Sequence, residues 1–113
     1  MEEKEYRKKV SETFAELLKV LDNIDPDVVE AELSQGALTL LSKDGSKTIL
    51  SQQPSVSQIW LAMASQGRAI HFNWNEAKKS WFDDKGQGLE LISTLEEVLK
   101  GSTGQKISLK TVA

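Results

Sequence analysis

The sequence contains no cysteine. That absence removes disulfides, zinc ribbons, thiolate-held clusters and thiol nucleophiles together, and it fits a reducing compartment. There is a single histidine, His71, so a histidine-rich metal site is excluded. No run approaches the eighteen or so apolar residues that a membrane helix needs. The opening from Met1 to Lys9 is charged and lacks the apolar stretch of a signal peptide, so the expected location is cytoplasmic. Phosphate-binding glycine loops, a dinucleotide fingerprint, a nucleophile elbow and the HExxH zinc motif are all missing. No local signature supports a Ser-His-Asp arrangement, and the expectation is a protein without enzymatic chemistry of its own.

What is present fits one small domain spanning 1–113. Hydrophobic residues make up 39% and charged residues 27% of the 113, a globular rather than a disordered balance. The net charge is only -3, but it is unevenly spread. Residues 1–32 hold ten acids and five bases, whereas 33–113 hold seven acids and nine bases. An acidic N-terminal third repels phosphate backbones, so nucleic acid is not an expected partner. It attracts cations and basic protein surfaces instead.

Tyr6, Val10, Phe14, Leu17, Leu18 and Leu21 recur at steps of three and four, one stripe of a helix. Asp25-Pro26 is expected to end it, because a residue before proline avoids the α region. Val29-Glu30-Ala31-Glu32-Leu33 alternates as a strand with Val29, Ala31 and Leu33 inward. Further strands are read at Leu38–Leu40, Thr48–Leu50, Gln58–Leu61, Ile70–Trp74 and Trp81–Phe82. Gln35-Gly36 and Asp44-Gly45 mark tight turns between them. Leu89, Ile92, Leu95 and Leu99 form a second amphipathic helix, closed by Gly101 to Gly104, and Ile107 and Leu109 pack from an extended tail. The fold class is therefore α+β: a two-layer sandwich, two helices on one face of a mainly antiparallel sheet of about six strands.

Two features carry chemistry. The first is the carboxylate series Glu12, Glu16, Asp22, Asp25, Asp27, Glu30 and Glu32. Glu12 and Glu16 lie one helical turn apart, and Glu30 and Glu32 share a strand face about 7 Å apart. Hard oxygen donors suit hard cations, here bound weakly by the field of a ridge rather than by a rigid cage. The plain alternative is a solvated acidic face that keeps the protein soluble. The second feature is Gln58-Ile59-Trp60-Leu61, in which alternation puts Gln58 and Trp60 on one face. If Ile59 and Leu61 meet the helices, Trp60 is an exposed anchor for a partner; with the reverse register it is core. His71 and Asn73 extend whichever face opposes Ile70, Phe72 and Trp74.

Gln53-Pro54, then Gln58-Ile59-Trp60-Leu61, a glycine turn, His71-Phe72-Asn73-Trp74 and finally Trp81 together resemble the frataxin family. Leu38-Thr39-Leu40, Asp44-Gly45-Ser46-Lys47 and the acidic opening from Glu5 to Asp22 are similar to its bacterial, CyaY-type members. The resemblance runs from about Glu5 to Leu109. It implies two helices on one face of an antiparallel sheet. It also implies iron binding (Fe2+ or Fe3+, weakly held, with no organic cofactor) and regulation of iron–sulfur cluster assembly. Implied partners are the cysteine desulfurase and the iron–sulfur scaffold protein. A monomer is expected, with iron-dependent oligomers as the alternative state, in the cytoplasm, or in the mitochondrial matrix for a trimmed eukaryotic member. The family's acidic ridge falls on Asp22, Asp25, Asp27, Glu30 and Glu32, with Glu12 and Glu16 beside it. Its partner-facing sheet surface falls on Gln58, Trp60 and His71.

Leu18, Lys19 and Asn23 stand where bacterial members often carry acids, which implies weaker iron binding than is typical. Ser51-Gln52-Gln53 stands where the family has Asn-Lys-Gln. Two other functions fit the same residues. One is a metal-independent protein-interaction adaptor; the other is a weak ferroxidase in which the carboxylates hold iron for oxidation.

Overall fold

In the computed structural model, residues 1–110 are described; the last three residues of the expected 1–113 span lie outside them. Helix α1 (Glu3–Leu21) is followed by six strands and helix α2 (Leu91–Thr103). The strands are β1 (Val29–Ser34), β2 (Ala37–Ser42), β3 (Lys47–Gln53), β4 (Gln58–Met63), β5 (Arg68–Asn75) and β6 (Ser80–Asp83). They pair in chain order, each antiparallel to the next, so β1 and β6 are the edges of one six-stranded sheet.

The helix stripe is buried as its spacing predicts: Tyr6, Val10, Phe14, Leu17 and Leu21 all face the sheet. The α-helix itself stops at Leu21, short of Asp25-Pro26. Asn23 and Ile24 donate to Val20 and Leu21, bonds to the third residue back that tighten the last turn before the proline. Leu89, expected inside the second helix, lies before it. The Glu90 carboxylate accepts the Ile92 and Ser93 N–H groups, which caps the helix and fixes its start at Leu91. The helix runs through Gly101 and ends at Gly104, whose φ of 74° only glycine adopts cheaply, with its N–H on the Lys100 carbonyl.

Alternation decides which face each strand residue meets. Leu38, Leu40, Leu50, Ile59, Leu61, Phe72 and Trp81 turn toward the helices and join one core with Leu91, Leu95 and Leu99. Ile107 and Leu109 of the tail seal that core, and the Leu109 N–H is held by the Glu96 carboxylate at 2.8 Å. Leu33 lies on the inward face but is 45% exposed, because it sits at the hairpin end of the outermost strand. The Gln35-Gly36 turn has both central residues at positive φ, 52° and 78°, the twist a two-residue hairpin requires.

Candidate functional site

The acidic segment follows from how α1 hands over to β1. The Asp25 side chain accepts the Asp27 N–H at 2.9 Å, and the Asp25 carbonyl accepts the N–H groups of Val28 and Val29. This compact turn delivers the chain to the sheet edge with the side chains of Asp22, Asp25 and Asp27 in solvent. Along β1, Glu30 stands opposite Leu41 and Glu32 opposite Thr39, on the face that no helix covers. Five carboxylates thus run from the end of α1 along the outermost strand.

Glu12 and Glu16 are placed differently. Both are exposed, and both border a cavity of about 400 Å³ between α1, β6 and the tail, alongside Lys9, Lys79, Lys110 and Trp74. None of the five β1-side carboxylates lines that cavity. Among the described residues, none of the seven has an ion-pair partner within 4 Å. Nor, among the described residues, do three His, Asp or Glu side chains come together as a set that could hold a metal ion. Among the described residues the ridge therefore consists of carboxylates without close ion pairs and without a preformed cage, and oxygens of this kind suit hard ions held partly through their own hydration.

The same uncovered face carries the second site. Ile59 and Leu61 are fully buried under the helices, so Gln58 and Trp60 turn outward. In register, Trp60 stands between Ser51 of β3 and His71 of β5. The Trp60 and His71 rings stack with centroids 4.1 Å apart and planes 10° from parallel. The Trp60 Nε1–H donates to Gln58 Oε1 at 2.8 Å, and Gln58 Nε2 donates to Asn73 Oδ1 at 3.1 Å and Asp84 Oδ2 at 3.3 Å. Asp84 also stands 3.5 Å from His71 Nδ1. All three partner-surface residues read from the sequence are thus in one patch.

Asp84 was not among them. In the sequence, Asp83-Asp84-Lys85-Gly86 carries only a turn signal; the β5–β6 register is what seats it beside His71, through the Asp84 N–H on the His71 carbonyl at 2.8 Å. Its neighbour Asp83 is spent on the turn itself. The N–H groups of Gln87, Leu89 and Lys85 donate to that carboxylate and hold it below the ordinary carboxylate range.

Trp74 and Trp81 are structural. Trp81 is buried, meets Trp74 edge-on at 5.4 Å and Tyr6 at 6.2 Å, and donates to Thr13 Oγ1 at 3.0 Å.

Comparison with known proteins agrees with this fold. Residues 1–105 match the frataxin-like domain. The iron–sulfur cluster assembly protein CyaY of Tolumonas auensis is 34% identical over 109 residues, covering 96% of this chain and 99% of the relative. The CyaY of Thioalkalivibrio sulfidiphilus is 38% identical over 89 residues, covering 79% and 76%. Among solved structures, the frataxin of Psychromonas ingrahamii superposes with a TM-score of 0.86 over 98% of this chain and all of that one, at 19% identity, a likeness of fold. A trimeric frataxin of Saccharomyces cerevisiae, complexed with ferrous iron, superposes with a TM-score of 0.70 at 25% identity, covering 86% and 87%.

Proposed function

The chain belongs to the frataxin family, and from that membership we propose that it is an iron-binding regulator of iron–sulfur cluster assembly. The family works in cluster assembly without being enzymatic, so the chain is an assembly protein rather than an enzyme. No helix among the described residues is long and apolar enough to cross a membrane. In this reading the protein works in the cytoplasm, as a monomer.

One observation carries the reading. Glu30 and Glu32 stand on the same uncovered sheet face as Trp60 and His71, with Asp22, Asp25 and Asp27 continuing the charge around the edge. An acidic edge and an aromatic patch on one face suit a partner that presents a basic surface beside an apolar one. Iron enters as cargo: Asp22, Asp25, Asp27, Glu30 and Glu32 hold it loosely, and Glu12 and Glu16 add a second, separate pair of donors. The proposed partners are the cysteine desulfurase and the iron–sulfur scaffold protein, with the desulfurase docking across both the acidic edge and the sheet surface of Gln58, Trp60 and His71.

The absence of three converging ligands among the described residues favours a second reading, a metal-independent adaptor. Calorimetric titration of the desulfurase with the full chain, with and without ferrous iron under anaerobic conditions, separates the two. Iron-dependent affinity that falls steeply with salt supports the regulator. Affinity unchanged by iron supports the adaptor, and no binding in either condition removes both.

A further inference from the structure

We propose that Asp84 is the positioning residue of the partner-facing surface, clamping His71 and Gln58 so that the Trp60 indole is held flat before any partner arrives. The inference rests on the docking role proposed above for Trp60.

Four side chains form a closed ring. Asp84 Oδ2 stands 3.5 Å from His71 Nδ1 and accepts from Gln58 Nε2 at 3.3 Å. Gln58 Oε1 accepts from the Trp60 indole at 2.8 Å, and the His71 ring closes the circuit by stacking on that indole at 4.1 Å. Gln58 and Trp60 belong to β4 and His71 to β5, whereas Asp84 comes from the turn after β6. One carboxylate therefore ties the two sides of the aromatic pair together from outside the strands that carry it.

The clamp is itself held. The Asp84 N–H donates to the His71 carbonyl at 2.8 Å, which seats its main chain on β5. Asp83 takes up the turn's free N–H groups, so Asp84 is left to face the sheet. Its side chain is 28% exposed and His71's 37%, and among the described residues no lysine or arginine pairs with it. A side chain fixed before binding loses less rotamer entropy at the interface, so removal of the clamp weakens docking although Asp84 need not touch the partner.

The test uses the full chain labelled for NMR. In Asp84→Ala the His71 ring protons are expected to lose most of their upfield ring-current displacement, and the Trp60 indole N–H to exchange faster. The Gln87 and Leu89 amides, which depend on Asp83, should stay in place. Asp84→Asn keeps an acceptor for Gln58 and should preserve the Trp60 signal better than that of His71. Desulfurase affinity should fall about tenfold in Asp84→Ala, in the range of a single interface position. Wild-type His71 and Trp60 signals in Asp84→Ala would overturn the proposal. If the turn amides move as well, the split between the Trp60 and His71 signals in Asp84→Asn decides it. Because these signals are read on the free protein, they stand apart from the docking role. Unchanged desulfurase binding by Trp60→Ala would sink that role and leave the clamp as a property of the fold.

Discussion

The Tyr6 hydroxyl donates to the Gln58 carbonyl at 2.6 Å and accepts the Gln53 N–H at 2.9 Å, so one phenol on α1 fastens the adjoining ends of β3 and β4. Tyr6 is fully buried. Tyr6→Phe leaves the Gln53 N–H and Gln58 carbonyl short of a partner and should cost about 1–3 kcal/mol in urea unfolding. Burial raises the Tyr6 pKa above the ordinary range, against the opposing pull of the Gln53 N–H and the Arg7 charge. The folded state thus holds the phenolic proton more tightly than the unfolded one. The associated stability is complete below about pH 10 and fades as pH rises through the higher folded value. The chain has one tyrosine, so ultraviolet titration reads this group alone.

Glu90 makes the opposite case at low pH. Burial pushes its pKa up, but hydrogen bonds from Ser80, Ile92 and Ser93 outweigh burial and leave it below the ordinary glutamate range. Its contribution is present above about pH 4.3 and is lost as pH falls through the lower folded value. Glu90→Ala should cost about 0.5–2 kcal/mol at neutral pH, as for other lost helix caps. Glu90→Gln should flatten the acid limb of stability against pH, measured by thermal unfolding.

Glu96 tests the tail. Glu96→Ala removes the acceptor of the Leu109 N–H and should free a segment that seals the core through Ile107 and Leu109. The expected result is a stability loss of about 1–3 kcal/mol, the cost of leaving such a donor unpaired. Hydrogen exchange at Leu109 should speed up much more than exchange in β3 or β4.

Trp60→Ala should separate binding from folding. The indole packs on His71 at the uncovered face and takes no part in the buried core. Desulfurase or scaffold binding should weaken by about tenfold or more, the behaviour of an aromatic anchor, while thermal stability changes little. A matching loss of stability, followed by circular dichroism, would instead make Trp60 a structural residue.

Much of the architecture was legible because burial writes itself as period. The stripe from Tyr6 to Leu21 and the alternation through Ile70, Phe72 and Trp74 each have one orientation that hides the apolar side chains. Choosing the face of Trp60 required only that Ile59 and Leu61 meet the helices. The ends of elements were harder. Leu21 rather than Asp25 ends α1 because i−3 bonds tighten the turn there, and no hydrophobic period reports that. The ridge was legible as composition, but its division was not. Glu12 and Glu16 share a helix face whose direction depends on how α1 crosses the sheet, and it brings them to Lys9 and Trp74 instead of to β1. Asp84 was hidden because its contact with His71 depends on strand register, which a turn motif does not encode.

The most direct test of the proposed role is an anaerobic ferrous iron titration of the isotope-labelled protein followed through its amide signals. The account predicts paramagnetic broadening centred on Asp22 to Glu32, a weaker and separate effect at Glu12 and Glu16, and little change at Asp84 or the core. It also predicts that Asp25→Asn with Asp27→Asn reduces the first effect and spares the second. A spectrum unmoved by iron, or broadening centred away from β1 and the end of α1, would contradict it.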